Sequence, residues 1–213
     1  MGKIVVSEFV SIDGVMEAPG GEPGYKHTGW VGRFPDEGQF AYKFEEVMQH
    51  DALLVGRVTY ESFAGAWPTY EGEFADRMNS MPKFVVSNSL QSADWNNTTI
   101  LRGDAIEAVT KLKAEFDGTL GVGGSHTLVQ ALKEHDLIDE YRLMIVPIVL
   151  GSGFRLFENA EDALTLRVTD VRQFGSIVNL TYEPVRESSS EPADIDAQRE
   201  WQAKKVRDTS ERR

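Results

Sequence analysis

Thr119-Leu120-Gly121-Val122-Gly123-Gly124-Ser125-His126-Thr127-Leu128 is the stretch on which the fold assignment turns. It predicts a short strand over 119–122, a two-glycine turn, and a helix that opens at Ser125 and buries Leu128, Val129 and Leu132. A strand running through glycines into a helix N-terminus lets backbone amides approach an anion, and the positive end of the helix dipole favours it. The spacing is not G-x-G-x-x-G, and no Gly-Lys-Ser/Thr follows, so neither a Rossmann nor a P-loop reading is supported. Plain turn chemistry stays open beside phosphate binding.

A second junction of the same kind lies upstream. Ala52 to Val55 reads as a short apolar strand closed by Gly56, and Arg57 and Thr59 fall in the first turn of the next element. A cationic fork and a hydroxyl then sit at a strand's C-terminal edge, where open α/β sheets bind ligands. An Arg paired to a nearby surface carboxylate is the equally simple alternative. Further strands are predicted over Ile4 to Ile12, Lys83 to Ser87, Tyr141 to Leu150 and Phe174 to Tyr182. Phe40, Phe44, Val47 and Met48 share a helical face, which leaves Glu45 and Glu46 for the wet side. Asp104 and Glu107 form a capping-box pattern ahead of Ile106, Val109, Leu112 and Phe116. Residues 15–38 are rich in Gly and Pro and form a long connection, which in a compact domain points to function. Alternating strands and helices predict a layered α/β fold with a largely parallel sheet.

Charge and composition narrow the chemistry. The 213 residues hold 34 acidic and 22 basic side chains, for a net charge of −12, which disfavours nucleic acid and anionic membranes as partners. Cysteine is absent, so thiolate catalysis and Cys-ligated metal are excluded. His27, His50, His126 and His135 lack metal-ligand spacing, and no metal is expected. No apolar run is long enough to span a bilayer. Lys3, Glu8 and Asp13 interrupt any signal-peptide segment, so a cytoplasmic location is expected. The composition changes near residue 184. Residues 184–213 balance seven acidic against seven basic side chains and read as a charged tail, disordered or helical, after a body over 1–183. Trp30 and Trp67 are candidates to stack on a planar substrate, with core packing the alternative for Trp67.

Gly56-Arg57-x-Thr59, Phe84-Val85-Val86-Ser87 and Gly123-Gly124 recur in this order in the dihydrofolate reductase-like superfamily. Ser11-Ile12-Asp13-Gly14 and Ile145-Val146-Pro147-Ile148-Val149-Leu150-Gly151-Ser152-Gly153 resemble its branch related to the riboflavin-biosynthesis reductase domain, over roughly residues 3–183. The resemblance implies a three-layer fold with a mostly parallel central sheet flanked by helices. It implies NADPH as cofactor, a small-molecule substrate and a homodimer. Arg57 and Ser87 would face the 2′-phosphate side and Thr59 the diphosphate, with Gly56 also in the cofactor site. Gly123, Gly124, Ser125, His126 and Thr127 would supply amides and a helix terminus to the diphosphate. Ser11, Asp13 and Gly14 would border the nicotinamide. The acid that dihydrofolate reductases carry on the helix before the Gly-Arg strand falls near Phe40 here, so folate reduction loses support. The expected activity is reduction of a ribosylaminopyrimidine or related heterocycle, with Asp13 and Asp36 the available acid candidates and capping of a helix start the alternative for Asp36. A pteridine reductase and a non-catalytic nucleotide- or pterin-binding module on the same scaffold are the alternatives.

Overall fold

The computed structural model describes residues 1–158 and 163–186. Strands β1 (Lys3–Ser11), β2 (Ala52–Gly56), β3 (Lys83–Val86), β4 (Thr98–Leu101), β5 (Thr119–Val122), β6 (Glu140–Val146), β7 (Leu166–Phe174) and β8 (Ile177–Pro184) form one sheet in the order β4-β3-β2-β5-β1-β6-β8-β7. All pairings from β4 to β6 are parallel, and β8 turns antiparallel against β6 and β7. The helices are α1 (Glu37–Met48), α2 (Arg57–Ala66), α3 (Glu73–Ser80), α4 (Ala105–Glu115) and α5 (His126–Glu134). The expected three layers and mostly parallel sheet are present. The expected strand 174–182 is part of a hairpin, β7–β8, and β4 and α3 are additional.

Each layer follows from side-chain alternation. Ile4, Val6 and Val10 of β1, with Leu54, Leu120 and Val122, pack under Val109 of α4 and Leu128, Val129 and Leu132 of α5. Leu53, Val55 and Val85 point the other way, against Val47 of α1, Tyr60 of α2 and Met78 of α3. The apolar run Leu143–Val146 is explained by β6 lying inside the sheet between β1 and β8, because a strand buried on both faces loses its polar alternation; Arg142, earlier in the strand, pairs with Glu140. The Asp104 cap forms, its carboxylate accepting from the Ile106 and Glu107 amides at 2.9 Å. The packed body reaches Arg186, whose guanidinium donates to the carbonyls of Asp136 and Ile138. The expected tail beyond it lies outside the described residues.

Helix α1 departs from the expectation. Phe40 is 65% and Met48 41% exposed, whereas Gln39 and Glu46 are buried with Val47. The inner face of α1 is polar because the sheet beneath it presents Ser7: Lys43 Nζ donates to Ser7 Oγ at 2.6 Å and lies 3.3 Å from Glu46 Oε1. Glu46 is therefore part of the interior rather than the wet face. His50, just beyond α1, is 3% exposed, and burial lowers its pKa to about 4 against the opposing pull of Glu46.

The His50 ring occupies the space that a side chain at Gly121 would need. Gly121→Ala is therefore expected to destabilise the fold by about 1–3 kcal/mol through overpacking. His50→Ala added to it should recover part of the loss. Urea unfolding of the single and double variants measures both, and an unchanged midpoint in Gly121→Ala would sink the account.

Candidate functional site

The strand order defines a crevice. The chain leaves β1 towards α1 on one face of the sheet, and leaves β5 towards α5 on the other. Adjacent strands whose connections diverge in this way open a cleft at their C-terminal ends. The last β1–β5 pair is Val6 with Val122, while β1 continues beside β6 as far as Ser11 with Val146. Ser7 to Ser11 therefore extend past the end of β5, and Gly123-Gly124 turn away beside them.

The β5–α5 junction is held open by a specific bond. Ser125 Oγ accepts the Gly56 amide at 2.8 Å, tying the ends of β2 and β5 together. Ser125 is thereby diverted from capping: it adopts φ 66°, ψ 51°, and no side chain caps α5. The first amides of this nine-residue helix remain available to an anion. Gly124 has φ +68°, and a Cβ there would come within 3.1 Å of Thr59 Cγ2. Gly56, Thr59, Gly124 and Ser125 are thus brought together, as their motifs suggest. The His126 side chain is engaged elsewhere, with Nε2 2.6 Å from Glu158 Oε1 and the ring stacked on Phe154 at 4.6 Å. Its backbone amide, with that of Thr127, belongs to the first turn of α5.

Arg57 pairs with Glu61 one turn along α2, at 3.0 and 2.9 Å. Ser87 Oγ accepts the Ser89 and Leu90 amides at 3.2 and 3.0 Å, closing the turn after β3. Ser11 is consumed by its own turn, donating to Asp13 Oδ1 at 2.7 Å and accepting the Val15 amide at 2.9 Å. Asp13 accepts the Leu150 and Gly151 amides at 3.0 and 2.7 Å. Partial burial pushes its carboxyl up, but the hydrogen bonds from Ser11 and the two amides outweigh it and bring the pKa down to about 2. Asp13 is thus an ionised brace between the Asp13-Gly14 turn and the 147–157 connection, and not a proton donor. Gly14 takes part in the same brace, its carbonyl accepting the Leu156 amide at 3.0 Å.

Three further candidates take structural places. Asp36 caps α1, accepting the Gln39 amide at 2.9 Å, which is the capping alternative. Trp30 is fully buried with Val15, Met144 and Ile177, its indole N–H donating to the Glu17 carbonyl at 2.8 Å. It cannot stack on a substrate from there. Trp67 packs among Phe63, Tyr70 and Phe74, which is the aromatic-packing alternative. The described residues contain no cluster of three or more His, Asp or Glu able to hold a metal, and no helix among them is long and apolar enough to cross a membrane.

The residue that sequence reasoning missed is Glu8. It is 3% exposed on β1, two positions past the last residue paired with β5. The Gly124 amide faces its carboxyl, and Oε1 has no hydrogen-bond partner. Burial pushes the pKa to about 8, against the opposing pull of Lys43 and the Gly124 amide. Burial therefore favours the protonated, neutral carboxyl at Glu8. The signal was a charged residue inside the apolar run Val5-Val6-Ser7-Glu8-Phe9-Val10, in a central strand most of whose side chains are buried.

A doubly wound sheet whose crevice is flanked by a Gly-Gly turn and an uncapped helix N-terminus defines an α/β scaffold. The sequence profile of the RibD C-terminal domain matches residues 2–180, and the chain belongs to that family. It is 29% identical over 181 residues to the uncharacterized protein YwjB of Bacillus subtilis, covering 84% of this chain and 97% of that one. Among solved structures, a protein described as a riboflavin biosynthesis protein from Shewanella sp. PV-4 superposes with a TM-score of 0.70 at 24% identity, over 86% of this chain and 99% of that one. A diaminohydroxyphosphoribosylaminopyrimidine deaminase/5-amino-6-(5-phosphoribosylamino)uracil reductase from Thermotoga maritima superposes with a TM-score of 0.60 at 13% identity, over 86% of this chain and 57% of that one. The dihydrofolate reductase-like fold of the riboflavin-biosynthesis branch is thereby shown.

Asp13 generates a prediction about acid stability. Its pKa falls from an ordinary 3.8 to about 2 on folding, so its contribution is fully present above the higher value and is lost as pH falls through the lower. Asp13→Asn should lower stability at neutral pH and flatten the acid limb between those values. Denaturant melts across that range measure this, and an acid limb identical to wild type would refute it.

Proposed function

We propose that this protein is an NADPH-dependent reductase acting on a heterocyclic substrate of the ribosylaminopyrimidine kind, as the activity named for the Thermotoga relative suggests. The observation that carries the reading is the uncapped α5 N-terminus at the mouth of the crevice, with Gly124 pressed to Thr59 so that no side chain fills the cradle. The residues fit a dinucleotide. Amides of Ser125, His126 and Thr127 and the Thr59 hydroxyl would hold the diphosphate, and Arg57 with Ser87 the 2′-phosphate. Bound there, NADPH supplies a hydride, while the protein holds the substrate in a dry pocket at a fixed angle.

The Arg57–Glu61 pair does not stand in the way. An exposed i,i+4 pair contributes about 0.3–0.5 kcal/mol, whereas a charge-assisted bond to a phosphate contributes about 1.5–3 kcal/mol. The guanidinium therefore exchanges partners when a dianion arrives. The net charge of −12 opposes this only weakly, since charges more than a Debye length away are largely screened. The proposal includes assembly as a homodimer, for which a dimer mass by light scattering at micromolar concentration is the expected result.

NADPH is expected to bind roughly tenfold to a hundredfold more tightly than NADH, which follows from the Arg57 contribution. Arg57→Ala should erase the difference, and the folded fraction of Gly124→Val should bind neither cofactor. Calorimetric titration reads all of these. Equal affinities in the wild type, or a folded Gly124→Val that binds normally, would overturn the cofactor assignment.

A further inference from the structure

Three Glu or Lys side chains on the central strands are buried: Glu8 on β1, Lys83 on β3 and Glu140 on β6. Lys83 donates to three carbonyls, of Asn79, Met81 and Asn96, at 3.0, 2.8 and 3.0 Å, and Glu140 is paired with Lys3 and Arg142, so both are spent on structure. Glu8 leaves Oε1 without any partner. An unsatisfied buried polar atom is destabilising, and a leucine in its place would avoid that cost. The position of Glu8 adds the second point. It stands where β1 outruns β5, under the Gly123-Gly124 turn, at the crevice rather than in the middle of a layer. The described acids closest to the expected roles, Asp13 and Asp36, are bound up in a brace and a cap.

We propose that Glu8 is the proton donor of the reduction, its carboxyl delivering a proton to the heteroatom of a polarised C=N or C=O bond in the substrate. The proposal rests on the reductase reading above. The step balances: the hydride and its electron pair reach the carbon from the reduced nicotinamide, which is oxidised. The C=X π bond breaks, its electrons pass to the heteroatom, and the heteroatom takes the Glu8 proton. The carboxylate then regains a proton from solvent. The charged groups acting on Glu8 are Lys43 and Glu46 of α1 and Glu22 of the connection after β1. The two acidic neighbours favour the protonated acid, and Lys43 stabilises the carboxylate once the proton has left.

Glu8→Gln replaces the neutral acid with an isostere that cannot release a proton. Its kcat with NADPH and an imine or carbonyl acceptor should fall by about 10²–10⁴-fold, with KM and NADPH affinity nearly unchanged. Glu8→Asp, which keeps the proton but withdraws it by one methylene, should lose kcat less severely. A readout independent of turnover is the pH dependence of folding. The Glu8 pKa is 4.5 ordinarily and about 8 when folded, so its contribution is fully present below the lower value and lost as pH rises through the higher. That loss should vanish in Glu8→Gln, and a ¹³C carboxyl titration of the wild type should place Glu8 far above ordinary carboxylates. A wild type that binds no NADPH overturns the reductase reading and the donor role with it. Normal NADPH binding and turnover with kcat of Glu8→Gln within about threefold of wild type, or a Glu8 ionised at neutral pH, overturns the donor role alone.

Discussion

The hydrogen bond from the Gly56 amide to Ser125 Oγ is the contact on which the site depends. It locks the C-terminal ends of β2 and β5 side by side, and in doing so takes the one hydroxyl that could have capped α5. The helix therefore begins with its N–H groups facing the crevice. Capping normally stabilises a helix by about 0.5–2 kcal/mol, so leaving this end open costs stability that an anion at the site can restore. Thr59 and Gly124 meet across the same junction, which places the residues of two sequence motifs at one spot.

Strand β1 imposes the second constraint. It lies between β5 and β6, with helices on both faces, so most of its side chains from Ile4 onward are enclosed whatever their chemistry. Ser7 and Glu8 are adjacent, and alternation sends them to opposite faces. Ser7 takes Lys43 of α1, and Glu8 meets the Gly124 amide. One strand thus carries polar groups to both sides of the crevice, and the reversed amphipathicity of α1 is the response of its neighbour. Phe40 and Phe44, displaced outward, pack on Phe74 of α3 at 5.9 and 5.7 Å.

Much of the fold was legible because its signals are local. The Gly-Gly turn before α5, the caps at Asp36 and Asp104, and the apolar strands at 3–11, 52–56, 83–86 and 140–146 are set by neighbours a few residues apart. β4 was missed because Thr98-Thr99-Ile100-Leu101 is a short edge strand, and β7 because it is an edge strand with most side chains exposed, Val168 and Val171 among them, and so lacks a buried alternating face. Gly56, Thr59, Gly124 and Ser125, from two motifs, meet at one junction, while Ser11 and Asp13, expected at the nicotinamide, and Trp30, expected at the substrate, take structural places. Ser11 and Asp13 are braces and Trp30 is core, since each satisfies its polar groups against the 12–30 and 147–157 connections, whose mutual approach no local pattern encodes.

The sequence by itself determined the alternation of elements, the glycines at the two strand–helix junctions and the types of side chain offered at each. The tertiary structure alone decided which of them are buried. Glu8 and Glu46 would be surface residues on an edge strand and a solvent-facing helix. They are interior because β1 is central and α1 lies over Ser7. Desolvation depends on what surrounds a group in three dimensions, so the protonation state of Glu8 comes from strand order and not from its neighbours in the chain.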